Sequence, residues 1–353
     1  MENYVTKIPS ELFWNIHDTL TYPERFKHIY SARSNGKTYG WKYFAIKDFI
    51  KTDGVHMFTY FRRNRTNLKR VGEFYNDLED IDILQGIKVN KDGSVFYKGR
   101  LAGFLTSMTD IMQKSQVYQM ANGVGVYNIC FDEFICEGGY QRYLKDEFNI
   151  FGSCISTIAR YRDFRCYLLA NNVSHYNPYF LELGYSNSEK GLIWKNKKPE
   201  NGYQANSLVQ NVYSEELTDL MSKTPFGQCF SGTSYGDFAI NNDSLTDTND
   251  GLKCKTGTCQ CIAILIVDSK LYGVWRDYRT SDCYISKSIG DGSAERYCVD
   301  KGITDKNIYT FHALKLSNKY AFIVNSYDYG TLYCEDMQCK NAIFKVLKAG
   351  FAV

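Results

Sequence analysis

The segment at positions 31–38, which reads Ser-Ala-Arg-Ser-Asn-Gly-Lys-Thr, restricts the possible folds of this chain more than any other. Its last three residues, Gly36, Lys37 and Thr38, are those of a phosphate-binding P-loop. Glycine lets the backbone approach phosphate closely, lysine reaches the β- and γ-phosphates, and the threonine hydroxyl ligates Mg²⁺. The first glycine of the usual pattern is replaced by Ser31, so the assignment depends on the flanking sequence.

The flanking residues have the strand and helix signals that a P-loop requires. Residues 26–30 are rich in aromatic and β-branched side chains and predict a strand, whereas residues 39–50 have apolar side chains at helical spacing. A helix N-terminus binds phosphate through free N–H groups and its macrodipole. A chance Gly-Lys-Thr in a surface loop is the alternative. We predict that ATP is bound by the residues from the loop to the first turn of the helix: Ser31, Ala32, Arg33, Ser34, Asn35, Gly36, Lys37, Thr38 and Tyr39.

A second segment, residues 126–133, supplies the acidic groups that nucleotide hydrolysis needs. It is a largely apolar run that ends in two carboxylates, as expected of a central parallel strand buried on both faces. We predict that Asp132 holds Mg²⁺ together with Thr38, and that Glu133 polarises the attacking water as general base. A buried strand followed by a solvated acidic turn would give the same pattern, but the P-loop favours the catalytic interpretation.

A third predicted strand, residues 164–170, ends in Asn171 and Asn172. Ligands of open α/β sheets bind at the carboxyl ends of the strands, so an amide at this position is well placed to sense the γ-phosphate. Asn is also common as a cap or turn residue. The residues alone therefore leave both roles open for Asn171.

Composition limits the other function classes. The chain has 353 residues with a net charge of only +3, so a global basic signature for nucleic acid is absent and local clusters have to provide any such contact. No apolar stretch approaches the roughly 20 residues that span a bilayer, and the N-terminus has no signal-peptide pattern. We expect a cytosolic protein without a membrane partner, whose twelve cysteines are mostly buried thiols.

The order of the predicted elements indicates an α/β protein. Strand and helix patterns alternate from residue 26 to about 190, which predicts a mainly parallel sheet. Residues 186–250 are rich in Asn, Ser, Gly and Lys and indicate a linker with a small helix near 214–223. Short strands follow at 261–268, 271–277, 283–287 and 320–325. We expect three domains: 1–190, 191–250 and 251–353.

Several longer motifs resemble the DNA-encapsidation ATPases of small protein-primed tailed phages, the Salas-type podoviruses. The resemblance extends in order and spacing over roughly residues 20–290. The motifs beyond the P-loop are Tyr-Phe-Arg-Arg at 60–63, Lys-Gly-Arg-Leu-Ala-Gly at 98–103, Phe-Asp-Glu-Phe-Ile at 131–135, Asn-Pro-Tyr-Phe at 177–180, Gly-Thr-Ser-Tyr-Gly at 232–236 and Leu-Tyr-Gly-Val-Trp at 271–275. The motifs at 98–103 and 131–135 are more specific than the P-loop itself.

The resemblance implies a ring ATPase that pumps double-stranded DNA into a preformed procapsid. It implies an N-terminal ASCE-type P-loop domain, a small linker domain and a C-terminal RNase H-like domain that is a vestigial nuclease. The ring would be a homopentamer docked on the portal, with a structural packaging RNA in some members. The protein would work in the host cytoplasm, transiently on the procapsid portal, and be absent from the mature virion.

The resemblance also implies roles for individual residues. Arg33 corresponds to a basic residue of the family's Walker A motif, and Arg160 corresponds to an arginine finger that acts in trans on the neighbouring subunit's nucleotide. A guanidinium at a subunit boundary can stabilise charge on the transferring phosphoryl group. Lys114 and Arg65 correspond to further basic residues at the same interface, and Asn171 corresponds to the sensor.

DNA contacts and the C-terminal region rest on weaker signals. A translocating motor grips phosphate through Lys and Arg, so residues 86–100 are candidates, especially Lys88, Lys91, Lys98 and Arg100. An ordinary solvated hairpin is the alternative. The C-terminal acids, which a two-metal nuclease would have to bring together, are Asp268, Asp277, Asp282 and Asp300. The cysteines at 254, 259, 261, 334 and 339 lack the usual spacing of a zinc site, so free thiols are preferred.

Two other functions are consistent with parts of the sequence. Another P-loop enzyme, such as a helicase or a small-molecule kinase, would share the phosphate-binding loop, but a kinase would lack the Asp132-Glu133 pair and a helicase usually has further motor motifs. A non-enzymatic portal-binding virion protein would need neither Lys37 nor Glu133.

Overall fold

A computed structural model describes residues 8–68, 71–113, 125–137, 143–144, 146–175, 177–183, 185, 189–195, 206–245, 252–299 and 305–351. The chain forms two compact units, residues 1–246 and 247–353. None of the helices in these parts of the chain combines the length and the apolar character that crossing a membrane requires.

The first unit alternates strands and helices, as the sequence predicts. Its strands are β1 Phe26–Ser31, β2 His56–Arg62, β3 Ile87–Val89, β4 Ser94–Tyr97, β5 Arg100–Ser107, β6 Gly125–Asp132, β7 Arg165–Asn171, β8 Ile193–Lys195 and β9 Ser207–Val212. Its helices are α1 His17–Leu20, α2 Lys37–Lys51, α3 Ile81–Gly86, α4 Met108–Gln113, α5 Glu147–Ala159, α6 Pro178–Leu183, α7 Glu215–Ser222, α8 Pro225–Phe230 and α9 Ser234–Ala239.

These strands form one mainly parallel sheet in the order β3-β4-β5-β2-β6-β7-β1-β9-β8. Six neighbouring strands pair in parallel: β5, β2, β6, β7, β1 and β9. The outer strands β3, β4 and β8 pair antiparallel at the two edges. Strand β7 lies between β1, which leads into the P-loop, and β6, which ends in Asp132. This is the strand insertion of an ASCE-type sheet, and it confirms the predicted fold class.

The central strands are apolar because both faces of the sheet are covered. Five of the eight residues of β6 are hydrophobic, and seven of the eight are buried. Phe131 of β6 stacks on Phe61 of β2 with ring centroids 5.0 Å apart, and Phe151 of α5 packs against the Phe131 ring. On the other face Trp41 of α2 is fully buried against Phe58 and Tyr60. The core therefore holds α2 and α5 on opposite sides of the strands that end at the P-loop cleft.

The predicted boundary at residue 190 differs from the structure. Strand β9 pairs with β1 along its whole length, from Phe26 beside Ser207 to Ser31 beside Val212. Residues 206–245, predicted as part of a linker domain, therefore belong to the first compact unit. The helix predicted near 214–223 is present as α7, with Ser214 as its N-cap.

The second unit has its own sheet and core. Its strands are β10 Cys259–Val267, β11 Lys270–Asp277, β12 Cys283–Ser286, β13 Arg296–Cys298, β14 Ile308–Thr310 and β15 Leu332–Cys334. Its helices are α10 Phe311–Lys315, α11 Asn318–Asp328 and α12 Met337–Phe351. Strands β10, β11 and β12 form an antiparallel meander, and β13 and β14 add in parallel beside β10. The order β12-β11-β10-β13-β14 is the one that an RNase H-like fold predicts, and β15 adds a sixth strand in parallel beside β12.

One strand predicted in this unit is wrong. Residues 320–325 lie within helix α11, because Ser317 caps the helix by accepting a hydrogen bond from the Tyr320 amide at 3.3 Å. The helix buries Ile323 in a core that it shares with the meander strands.

Asp268 and Asp277, two of the acidic residues of this unit, have local partners. Asp268 pairs with Lys345, and Asp277 accepts hydrogen bonds from Thr256 and Thr258 at 3.0 and 3.1 Å. Asp300 lies outside the described residues. Nowhere in the described ranges do three or more His, Cys, Asp or Glu side chains form a group that could hold a metal ion. All twelve cysteines are free thiols.

Candidate functional site

The P-loop connects β1 to the first turn of α2. Gly36 has φ +73° and Ser34 has φ +61°, so two residues of the loop adopt a left-handed backbone conformation before the helix begins at Lys37. A Cβ atom at Gly36 would lie 3.1 Å from Cβ of Phe13, so glycine is favoured there by both backbone and space. Left-handed residues in such turns create the backbone concavities that bind anions.

The ammonium group of Lys37 lies inside the loop. It donates hydrogen bonds to Ser31 Oγ at 2.5 Å, to the Ala32 carbonyl at 3.1 Å and to Asn171 Oδ1 at 3.4 Å. Burial lowers the pKa of Lys37 from 10.5 to about 7, against the opposing effect of Asp132 and Glu137. Ser31, which departs from the usual glycine, is fully buried and provides one of the three acceptors that hold the ammonium.

Asp132 and Thr38 meet at the same end of the sheet. Thr38 Oγ1 lies 3.2 Å from Asp132 Oδ2 and 3.4 Å from Oδ1. Tyr60 donates to Asp132 Oδ2 at 2.5 Å from the neighbouring strand β2. A carboxylate beside a hydroxyl is the donor set that Mg²⁺ uses in P-loop proteins, with water and phosphate oxygens completing the shell. The residues therefore fit a Mg²⁺ ion.

Glu133 follows directly and faces the same cleft. It has φ +62°, and its Oε1 atom lies 3.1 Å from Nη1 of Arg62. The same guanidinium reaches Asp132 Oδ2 through Nη2, also at 3.1 Å. One arginine at the end of β2 therefore pairs with both acidic residues.

Asn171 joins the cleft from β7, where it lies beside Ser31 in register. Its amide nitrogen donates to Glu137 Oε1 at 2.6 Å, while its oxygen accepts from Lys37. Arg33 pairs with the other oxygen of Glu137. Glu137 thus links the basic residue of the P-loop to the predicted sensor.

These groups line an open cleft of about 300 Å³ at the carboxyl edge of the sheet. Its lining residues are Ser34, Asn35, Gly36, Lys37, Thr38, Tyr39, Arg62, Asp132, Glu133, Ala170 and Asn171. The cleft contains the predicted P-loop, Mg²⁺ and general-base residues together. Their catalytic roles stay predictions.

Arg160 lies at the other end of the sheet. It follows the last residue of α5, is exposed, and precedes β7, which runs from there to the cleft. Seven strand residues at about 3.3 Å each separate the two ends by roughly 20 Å. Arg160 therefore cannot act in its own cleft. Arg65 is exposed, with Nε 4.0 Å from Asp110 Oδ2, and Lys114 lies outside the described residues.

The predicted DNA-contact residues lie at the β3 edge of the sheet. Lys88, Lys91 and Lys98, here called the hairpin lysines, are exposed on β3 and on the turns at either end of β4. Arg100 differs, because its guanidinium donates to Asp53 Oδ1 and to the Asp53 carbonyl, both at 2.6 Å. The hairpin lysines present a basic edge, whereas Arg100 is held by an acidic partner.

Sequence reasoning missed three residues of the site: Tyr60, Arg62 and Glu137. The first two belong to the motif at 60–63, whose two arginines are the local signal that could have indicated a role. The pairing of β2 with β6, which brings them beside Asp132, has no such signal. Glu137 has no local signal, because its two partners are 104 and 34 residues away in sequence.

Comparisons with known proteins agree with this geometry. The sequence model of the family "Podovirus DNA encapsidation protein (Gp16)" matches residues 8–350. The DNA packaging protein of Bacillus phage B103 is 28% identical over 308 residues, which is 87% of each chain. That of Bacillus phage phi29 is 25% identical over 339 residues, covering 96% of this chain and 97% of its own.

A solved structure shares the fold. In the bacteriophage Phi-29 viral genome packaging motor assembly, one chain superposes with a TM-score of 0.70 at 22% identity, covering 96% of this chain and 99% of that chain. The family match spans nearly all of the sequence and includes both compact units. The chain therefore belongs to the podovirus DNA encapsidation protein (Gp16) family.

Proposed function

We propose that this protein hydrolyses ATP in the P-loop cleft to drive double-stranded viral DNA through the portal into a preformed procapsid. The observation that carries this proposal is the meeting of Thr38, Asp132 and Glu133 beside the Lys37 loop. These are the parts required to bind Mg²⁺ and triphosphate and to activate a water molecule. A portal-binding protein without enzymatic activity would not need them.

Each residue has a chemical task in this proposal. Lys37 and the N-terminus of α2 bind the β- and γ-phosphates, and Glu133 accepts the proton of the attacking water. Mg²⁺ held by Thr38 and Asp132 would neutralise charge on the phosphate oxygens. Asn171 contacts Lys37 and is placed to respond when the γ-phosphate is lost.

The test is the Glu133→Gln variant. We expect it to bind ATP as the parent does, because Gln keeps the size of the side chain, but to lose at least about 100-fold in turnover because an amide cannot act as base. Binding is measured with a fluorescent ATP analogue and turnover by phosphate release. Glu79→Gln, in an acidic residue outside the cleft, is the matched control. Parent-like turnover by Glu133→Gln would refute the general-base role.

The position of Arg160 supports a ring of identical subunits. A guanidinium roughly 20 Å from its own cleft, exposed at the end of a helix, can stabilise a transition state only in another subunit. We therefore propose that Arg160 of one subunit completes the site of the next, in a homopentamer docked on the portal. Lys114 and Arg65 are proposed to lie at the same interface.

The remaining partners follow from this proposal. DNA is gripped through its phosphates, and the exposed hairpin lysines are the candidate contacts on this chain. A structural packaging RNA between ring and portal is a further proposed partner. The protein would act in the host cytoplasm, transiently on the procapsid.

A further inference from the structure

A buried ion pair lies directly behind the acidic residues of the cleft. Arg63 is 2% exposed and so is Glu147, the first residue of α5. The guanidinium donates to both carboxylate oxygens, from Nε at 2.7 Å and from Nη2 at 2.8 Å. Neither residue touches the cleft, and nothing in the proposed reaction uses them. We call this pair the Arg63–Glu147 clamp.

The clamp also holds the main chain that carries Glu133. Nη1 of Arg63 donates to the carbonyl of Glu133 at 3.1 Å, and Nη2 donates to the carbonyl of Phe134 at 2.9 Å. Glu133 has φ +62°, a conformation that residues other than glycine rarely adopt. Two hydrogen bonds from a planar, bidentately anchored guanidinium fix this turn and therefore the direction of the Glu133 side chain.

The carboxylate of Glu147 is held just as firmly. Oε1 accepts from the Tyr179 hydroxyl at 2.9 Å, and Oε2 accepts from the Leu144 amide at 2.8 Å. Glu147 also lies in the first turn of α5, where a negative charge is favoured by the helix dipole. The anchor of Arg63 is thus a rigid part of the fold rather than a mobile side chain.

A contribution to stability does not by itself account for two buried charges. Removing two charges from water costs so much that well-packed apolar replacements of a buried pair are often as stable as the pair itself. What an apolar replacement cannot supply is the pair of donors to the carbonyls of residues 133 and 134. The contacts specific to arginine are those made to the backbone of the acidic turn.

We propose that Arg63 and Glu147 are positioning residues that hold Glu133 in the orientation required for water activation. The inference rests on the proposed role of Glu133 as general base. It predicts that the clamp affects turnover rather than nucleotide binding, because Lys37, Thr38 and Asp132 do not contact it.

The experiment compares full-length variants by thermal unfolding, nucleotide binding and turnover. The double variant Arg63→Met/Glu147→Gln removes both charges. The single amide oxygen of Gln can still accept from the Leu144 amide, and its NH2 group can donate to the Tyr179 hydroxyl oxygen. We expect a Tm near that of the parent, an unchanged Kd for a fluorescent ATP analogue, and a kcat lowered about 10- to 100-fold, as for a displaced catalytic group. Tyr179→Phe is the matched control, since it removes one bond to Glu147 and neither carbonyl contact. It should lower Tm and leave kcat unchanged.

Arg63→Lys provides a second test. Lysine retains the charge pair, but its ammonium is not a planar fork and cannot serve both oxygens of Glu147 and both carbonyls at once. A folded Lys variant should therefore also lose kcat at constant Kd. Parent-like kcat in either folded variant would overturn the proposal. Loss of folding in both would overturn it as well, since the pair would then serve stability.

Glu133→Gln separates this inference from the function on which it rests. If that variant keeps full turnover, the general-base role itself is wrong. If Glu133→Gln is inactive while Arg63→Met/Glu147→Gln is fully active, only the positioning role of the clamp is refuted.

Discussion

The buried ammonium of Lys37 makes nucleotide binding dependent on pH in a way that can be measured. Burial lowers its pKa from 10.5 to about 7, so the group is about half neutral at pH 7. Phosphate beside Nζ favours the charged form and raises the pKa again. Binding therefore takes up a proton wherever Lys37 is neutral in the free protein, which means above pH 7.

The size of the effect follows from the pKa of about 7. At pH 8 about one tenth of Lys37 is protonated before binding, so about 0.9 proton is taken up per nucleotide, whereas at pH 6 the uptake is about 0.1. Above pH 7 the affinity for nucleotide should fall by up to about tenfold per pH unit, because the protonated form of Lys37 that binds phosphate becomes scarce.

Titration calorimetry measures this uptake directly. A non-hydrolysable ATP analogue is titrated at pH 8 and at pH 6 in two buffers of different ionisation enthalpy, and the dependence of the observed heat on the buffer gives the number of protons. Lys37→Arg is the control, because a guanidinium stays charged throughout this range. No uptake at pH 8, or equal uptake by Lys37→Arg, would refute the assignment to Lys37.

Three further predictions concern the ring, the DNA and the fold. Arg160→Ala should lose about 10³-fold in ATPase activity alone, yet regain part of it when mixed with Glu133→Gln subunits, and no rescue at any mixing ratio would contradict a trans role. Double-stranded DNA should stimulate the ATPase, and changing each hairpin lysine to Ala should lower the salt slope of DNA binding by about one; stimulation by single strands alone would favour a helicase. Gly103→Ala should destabilise the first unit by about 1–3 kcal/mol, because a Cβ would overlap the Phe58 carbonyl oxygen, and an unchanged Tm would argue against that packing.

The parts of the site that the sequence predicted correctly have local signals. The strand before the P-loop, the helix after it and the strand that ends in Asp132 each combine a run of apolar residues with a polar end, and these elements are present as β1, α2 and β6. Parallel strands that end in polar residues converge at one edge of a sheet, so the meeting of Thr38 and Asp132 follows from the order of elements.

The parts that were missed depend on distant partners. Strand β9 reads as part of a polar region, and only its pairing with β1 makes it a sheet element. Residues 320–325 are aromatic and β-branched, which favours a strand locally, but the cap at Ser317 and the burial of Ile323 against the meander strands favour a helix. Tertiary packing outweighs propensity in both places.

Arg62 and Arg63 show most clearly what the sequence could not separate. Both belong to one basic cluster at a strand end, but successive residues of a strand point to opposite faces. Arg62 turns into the cleft and pairs with Asp132 and Glu133, while Arg63 turns inward and binds the backbone of the same acidic turn. Glu133 is therefore held from two sides, by its side chain and by its main chain. A substitution at Arg62 should change the electrostatic environment of the Glu133 carboxylate, so the salt dependence of turnover should change. A substitution at Arg63 should instead shift the position of Glu133, so the salt dependence of turnover should stay unchanged.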